Sequence, residues 1–310
     1  MQLEGIHHIT AITGNAPANV EFYVGVLGLR LVKKSVNQDV PNIYHLFYAD
    51  EKGSPGSDIT FFEYPGMARG RAGAGMVHRI VWRVASEDSL AFWEKRLGSF
   101  DTVVERHDGL IRFKDPEGLE LELRIVETSD PVLIADHPEI PADLALQGFD
   151  GARAYTDDPD RSRSLLEETL GFRSSGTGAY EVRGDRRGSF YEYDASATRG
   201  EQGAGTVHHI AWAAPPEEHA DWRDRVVEGG ASVTPIIDRF YFKSIYFREP
   251  SGVLFEIASI GPGFTVDEPV EQLGEKLSLP PDYEHLRAEV EPLLTPLPDI
   301  RRWRPQRAAS

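Results

Sequence analysis

A strand–helix–strand pattern written four times along one chain is the feature that most constrains this fold. The first copy opens on "IHHITAITG" and continues through the amphipathic run "APANVEFYVGVLG" into the strand-like "YHLFYAD" and "SDITFFEYP". The second opens at "VHRIVWRV" (77–84), the third at "GFDGARAYT" (148–156) and the fourth at "VHHIAWAA" (207–214). Spacing supports the repeat. His8 and the helix-ending Gly28 are 20 residues apart, as are Gly151 and Gly171; Arg79 and Gly98 are 19 apart. The second and fourth copies also share an acid-Pro-x-Gly turn, "KDPEG" and "REPSG", before the last strand.

The expected fold is therefore α+β: four βαβββ modules forming two curved mixed-sheet domains, followed by a C-terminal tail. Residues 1–126 form an N-terminal domain, with modules at about 5–65 and 76–126. A Pro- and Asp-rich linker spans 127–147, and 148–262 form a C-terminal domain of two further modules. The tail, 263–310, is expected to hold one short helix between prolines and to end in the loose segment "RRWRPQRAAS".

Repeat register singles out three residues. The second His of each His-His-Ile string, His8 and His209, occupies the same position in modules one and four; Arg79 and Gly151 stand there in the other two. Four residues after the turn glycine come Glu256 in module four, Glu122 in module two and Thr60 in module one. Glu256 lies in the apolar "LFEIAS", and a buried carboxylate is rarely left unpaired. If modules one and four pack together, His8, His209 and Glu256 form a two-His, one-carboxylate set. Fe(II) uses such a triad with positions left open for O₂ and substrate, and Mn(II) or Zn(II) can accept it too. Glu122 has no His partner in its own module, because Arg79 stands at the equivalent place, and it is expected to pair with Arg79. Strand alternation sends His7 and His8, and likewise His208 and His209, to opposite faces.

Composition removes other classes. A net charge of −17 disfavours nucleic-acid binding. Cysteine is absent, which excludes disulfides, thiolate ligands and Cys nucleophiles. No apolar run approaches the roughly 20 residues that span a bilayer, and the first residues lack signal-peptide character. A cytoplasmic protein with no membrane or nucleic-acid partner is expected, and homo-oligomerisation stays open.

These modules resemble the vicinal-oxygen-chelate superfamily, which includes glyoxalase I, bleomycin-resistance proteins and extradiol dioxygenases. The strings "HHIT" (7–10), "IYHLFYADEKGSPGS" (43–57), "HHIAW" (208–212), "SIYFREPSGVLFEIA" (244–258) and "GFTVDEP" (263–269) resemble more closely the hydroquinone-type ring-cleaving dioxygenases. The likeness runs from about residue 4 to about 285. It implies an Fe(II)-dependent, extradiol-type dioxygenase that inserts O₂ into a para-diol or related dihydroxylated ring, with a small aromatic diol and O₂ as its partners. It implies metal ligation by His8, His209 and Glu256. It places His7, His208, Thr10, Arg239 and Tyr246 around them. His208 and Tyr246 are the candidates for acid/base work, since imidazole and phenol bracket the required range. Thr10 and Arg239 would position oxygens or stabilise their charge. The alternatives are a glyoxalase-like metal-dependent isomerase, a catechol extradiol dioxygenase and a non-enzymatic binding module. Gly151, where catechol-cleaving enzymes carry their first ligand, and Thr60, at the acid position of module one, weigh against the first two.

Overall fold

The computed structural model describes residues 1–305 and contains all four modules. Module one runs β1 (Ile6–Thr13), α1 (Ala16–Val20), β2 (Arg30–Asn37), β3 (Val40–Ala49) and β4 (Asp58–Glu63). Module two runs β5 (Met76–Val84), α2 (Glu87–Ser99), β6 (Glu105–His107), β7 (Leu110–Lys114) and β8 (Glu120–Ile125). Module three has β9 (Phe149–Thr156), β10 (Arg173–Gly176), β11 (Ala179–Arg183) and β12 (Gly188–Ala195). Module four has β13 (Val207–Ala214), α3 (His219–Glu228), β14 (Ile237–Asp238), β15 (Lys243–Arg248) and β16 (Leu254–Ser259).

Local chemistry explains the helix ends. The Asn15 side chain accepts the Ala18 N–H and Pro17 occupies the first turn of α1. The chain then widens, with the Leu27 N–H reaching back five residues to the Phe22 carbonyl, and ends at Gly28 with φ +70°. Module three has the same wide turn, Leu165–Thr169, in place of a regular α-helix. Gly98 does not end α2, which runs on to Ser99; Asp101 takes the positive φ instead. The turn before each last strand is shared more widely than the two Pro motifs suggest: Gly56, Gly118 and Gly252 all have φ near +100°. Asp115 holds its copy by accepting the N–H groups of Glu117, Gly118 and Leu119.

The strands make two eight-stranded mixed sheets, ordered β14-β15-β16-β13-β1-β4-β3-β2 and β10-β11-β12-β9-β5-β8-β7-β6. Module one thus shares a sheet with module four, and module two with module three. This corrects the expected division of the sheets between residues 1–126 and 148–262. Antiparallel pairing of β1 with β13, and of β5 with β9, joins the halves edge to edge, so each half contributes one module to each sheet. The connecting segment 127–147 is also built in: Leu146 and Ile140 enter the core, and the Asp130 carboxylate lies 2.7 Å from Arg83.

One core takes residues from both sheets and the helices, among them Ile9, Tyr23, Trp82, Trp93, Trp212 and Trp222. A smaller cluster, including Val32, Phe47, Ala211, Tyr241, Phe242 and Phe264, covers the other face of the first sheet. The tail helps to close that face. Lys33 on β2 is fully buried; its ammonium group lies 2.7 Å from Asp267, bonds Glu268 and sits 5.0 Å from the centre of the Tyr241 ring. Farther on, the tail carries α4 (Arg287–Val290) within a run of tight turns from Pro281 to Leu293. The expectation of a loose C-terminus fails for residues 301–304: Trp303 packs against Gly25, Arg302 pairs with Glu21, and Arg304 lies 2.7 Å from Glu51. The rest of that expectation, residues 306–310, lies outside the described residues. Among the described residues no helix is long and apolar enough to cross a membrane.

Replacing Lys33 by Met keeps most of its volume but leaves two carboxylates without their cation. We expect a loss of about 3 kcal/mol in urea denaturation, with segment 264–278 becoming sensitive to protease. An unchanged midpoint together with unchanged cleavage would show that apolar contacts alone hold the tail.

Candidate metal centre

β1 and β13 bring the two histidine pairs together. His8 lies opposite Ala211, and Thr10 opposite His209. β13 in turn pairs with β16 in parallel, with Ala211 beside Glu256, and β15 places Tyr246 beside Glu256. Directly opposed residues share a sheet face. His8, His209, Glu256 and Tyr246 therefore gather on one face.

Two β-bulges adjust this face. Pairing steps from Ile6–Trp212 to His8–Ala211, so His7 is an extra residue on β1. It steps from Thr10–His209 to Ala11–Val207, so His208 is an extra residue on β13. Bulges re-aim side chains and break strict alternation. That overturns the expectation of opposite faces. His7 Nδ1 lies 2.9 Å from His8 Nδ1, and His208 Nδ1 lies 2.8 Å from His209 Nδ1. Each second histidine is tied through Nδ1 to the first, while its Nε2 is turned to Glu256. The Nε2 atoms of His8 and His209 stand 3.3 and 2.9 Å from the same Glu256 oxygen, and 3.3 Å from each other.

The donor set fits a divalent cation. Glu256 is fully buried, and neither carboxylate oxygen is met by an aligned hydrogen-bond donor. Burial alone would raise its pKa, but the adjacent His8 and His209 hold it well below the ordinary carboxylate range. Burial pulls His209 below the ordinary histidine range, and pulls His7 and His208 down to about 3, which leaves the latter two neutral. Two imidazole nitrogens and a carboxylate converging in a buried site are metal-binding chemistry. The equivalent position on the second sheet provides an internal control. Glu122 is equally buried but meets Arg112 at 2.8 Å and Arg124 at 2.6 Å. The expected Arg79–Glu122 pair is present at 3.7 Å, though Arg79 approaches Glu120 more closely, at 2.9 Å.

Beside this group lies a cavity of about 40 Å³, bordered by His8, His209, Arg239, Tyr246, Phe242 and His45. Arg239 reaches it from the loop after β14. It bonds Asp39 at 3.0 and 3.2 Å and stands 5.6 Å from the Tyr246 ring centre. Tyr246 has its hydroxyl pKa raised by burial and by the Glu256 charge. His208, expected as an acid/base group, does not border the cavity, nor do His7 and Thr10. Thr10 instead bonds the Thr60 hydroxyl at 2.7 Å. Sequence reasoning did not single out His45. Its ring lies between Phe47 and Phe62, and Nε2 bonds the Thr60 hydroxyl at 2.9 Å. Burial and the nearby His8 and His209 hold its pKa well down. The alternation of "IYHLFYAD" puts His45 on the same face as Phe47, but only the pairing of β3 with β4 brings it to Thr60.

A family model for the glyoxalase/bleomycin resistance protein/dioxygenase superfamily matches residues 5–123 and 148–257. The chain belongs to this superfamily. It is 44% identical over 302 residues to MhqO of Bacillus subtilis (strain 168), a candidate ring-cleaving dioxygenase, covering 94% of this chain and 96% of that protein. It is 31% identical over 308 residues to a chlorohydroquinone/hydroquinone 1,2-dioxygenase of Sphingobium indicum, covering 93% and 95%. The crystal structure of a candidate dioxygenase from Bacillus subtilis superposes with a TM-score of 0.89 at 41% identity, covering 96% of this chain and 98% of that one. Glyoxalase I from Zea mays shares the superfamily fold, with a TM-score of 0.57 at 14% identity over 82% of this chain and 92% of its own.

The Thr10–Thr60–His45 line is testable by itself. Thr60→Val removes the central hydroxyl and leaves buried polar atoms unpaired. We expect a loss of about 1–3 kcal/mol in urea denaturation; a neutral result would mean that the line contributes nothing to stability.

Proposed function

We propose that this protein is a metal-dependent, ring-cleaving dioxygenase. It takes a small dihydroxylated aromatic ring of the hydroquinone type, with Fe(II) held by His8, His209 and Glu256. The observation that carries the reading is the buried, donor-free Glu256 carboxylate facing two imidazole Nε2 atoms. The relatives named as ring-cleaving dioxygenases, one of them acting on hydroquinones, support the choice of reaction.

His8, His209 and Glu256 would hold a ferrous ion, which would supply the means to bring a phenolic oxygen and O₂ together and to carry electron density between them. The chain's own residues supply the rest. His7 and His208 fix the rings of His8 and His209 through their Nδ1 atoms, which sets the nitrogen offered to the metal. Arg239 places a positive charge on the cavity wall, where it favours ionised ring oxygens. The Tyr246 hydroxyl keeps its proton at neutral pH and can donate to an oxygen atom gaining charge. Phe47, Phe62 and Phe242 exclude water and offer apolar faces to a flat ring. The ring bond next to a hydroxyl-bearing carbon breaks, and both atoms of O₂ enter the product.

Anaerobic reconstitution with Fe(II), followed by hydroquinone and air, should give O₂ uptake and loss of the ring absorbance. Turnover of a hemithioacetal with no O₂ uptake on any diol would favour the isomerase reading instead. His209→Ala should lose stoichiometric iron in a chelator competition while keeping its far-ultraviolet dichroism; retained iron and activity would remove His209 from the ligand set.

A further inference from the structure

A hydrogen-bonded line crosses the face of the first sheet, from Thr10, which lies directly opposite His209, through Thr60 to His45. Thr10 and Thr60 are fully buried. His45 is only half-buried because its ring borders the cavity beside the metal group. Its ring cannot swing freely. Phe47 lies 3.9 Å and Phe62 4.4 Å away, centre to centre, and Nε2 is committed to Thr60. Nδ1 makes no hydrogen bond to any described residue, yet it is not sealed off. A clamped imidazole therefore offers one uncommitted polar atom from an otherwise aromatic stretch of wall.

We propose that His45 is a specificity-determining residue that receives the second hydroxyl of a para-diol ring whose first hydroxyl lies at the His8, His209 and Glu256 group. This rests on the ring-cleavage reading above and goes beyond it by assigning a residue to the far end of the substrate. A neutral imidazole has one N–H and one lone pair. Thr60 uses one of them, so Nδ1 presents the other. A phenolic hydroxyl can donate or accept and so answers either tautomer. The two hydroxyls of a para-diol lie at opposite ends of the ring, which lets one molecule span both points. An ortho-diol keeps its oxygens side by side at the metal, and a monophenol has nothing to offer His45. Both leave Nδ1 desolvated without a partner, and an unpaired polar atom of that kind is what makes a site reject a ligand lacking a hydroxyl.

The test uses the iron-loaded protein with hydroquinone, catechol and phenol as probes. Binding is read by anaerobic calorimetry, and turnover by O₂ uptake. His45→Phe should weaken hydroquinone binding and raise its KM about tenfold. Its kcat should stay within about twofold of wild type, and catechol and phenol, no longer facing an unpaired Nδ1, should bind as well as to wild type or better. His45→Leu serves the same comparison should the Phe variant not fold, and His45→Gln, which restores a polar atom, should recover part of the hydroquinone affinity. Equal weakening of all three probes, or of none, in a variant of a wild type that turns hydroquinone over would overturn the assignment of His45 and leave the ring-cleavage reading standing. A wild type that binds and consumes no diol would overturn both.

Discussion

The antiparallel pairing of β1 with β13 is the interaction on which the rest depends. It joins segments about two hundred residues apart in sequence, and it alone carries His8 to the His209–Glu256 pair. Its detail matters as much as its existence. One extra residue on each strand, His7 and His208, breaks the alternation and lays each first histidine against the second. In a regular ladder each first histidine would turn away and its partner's Nδ1 would need another acceptor or donor. The His-His dipeptide is thus one structural unit, with a bulged residue that orients and a paired residue whose Nε2 is presented.

The second sheet repeats this construction and uses it differently. β5 and β9 also pair antiparallel and skip one residue on each strand, His78 and Asp150. At the paired positions stand Arg79 and Gly151 rather than histidines. Glu122 keeps the place of Glu256 and the same burial, but its charge is met by arginines. A buried carboxylate must be neutralised by something. On one sheet covalently attached cations do this, and on the other the chain supplies none that is aligned with Glu256. The contrast is independent of any relative, because both environments lie in the same molecule.

Much of this was legible along the chain. Modules, turn glycines and the common register of His8, His209 and Glu256 follow from local periodicity, because strand alternation and tight turns are local rules. The partnership of module one with module four was readable only as a condition, since nothing in either segment states which edge it will meet. The bulges were not readable: "HHI" satisfies alternation as well as it satisfies a bulge, and only the pairing register distinguishes them. His45 was missed because its role comes from Thr60 on the neighbouring strand. The docking of "DEP" onto Lys33 was hidden for a related reason. A lysine in "LVKKSV" reads as solvent-facing until residues 267 and 268 return to cover it.

Size adds a last constraint. The space beside the metal group is about 40 Å³, whereas a cavity able to hold benzene is about 150 Å³. The side chains of His8, His209 and Glu256 sit on paired strands in the middle of the sheet and cannot give way without breaking it. The movable walls are elsewhere. Asp39, in the β2–β3 hairpin, and Arg239, in the loop after β14, are joined by hydrogen bonds, and Gln38 bonds the Arg239 carbonyl at 2.9 Å. Phe242 borders this space and also a neighbouring cavity of about 440 Å³ that reaches His7 and Phe264. A ring of the proposed size therefore reaches the metal group by displacing the hairpin latch or by turning Phe242 so that the two cavities merge. In both cases the rigid part of the site is the His8, His209 and Glu256 group proposed to hold the metal, and the yielding part is the wall proposed to meet the ring.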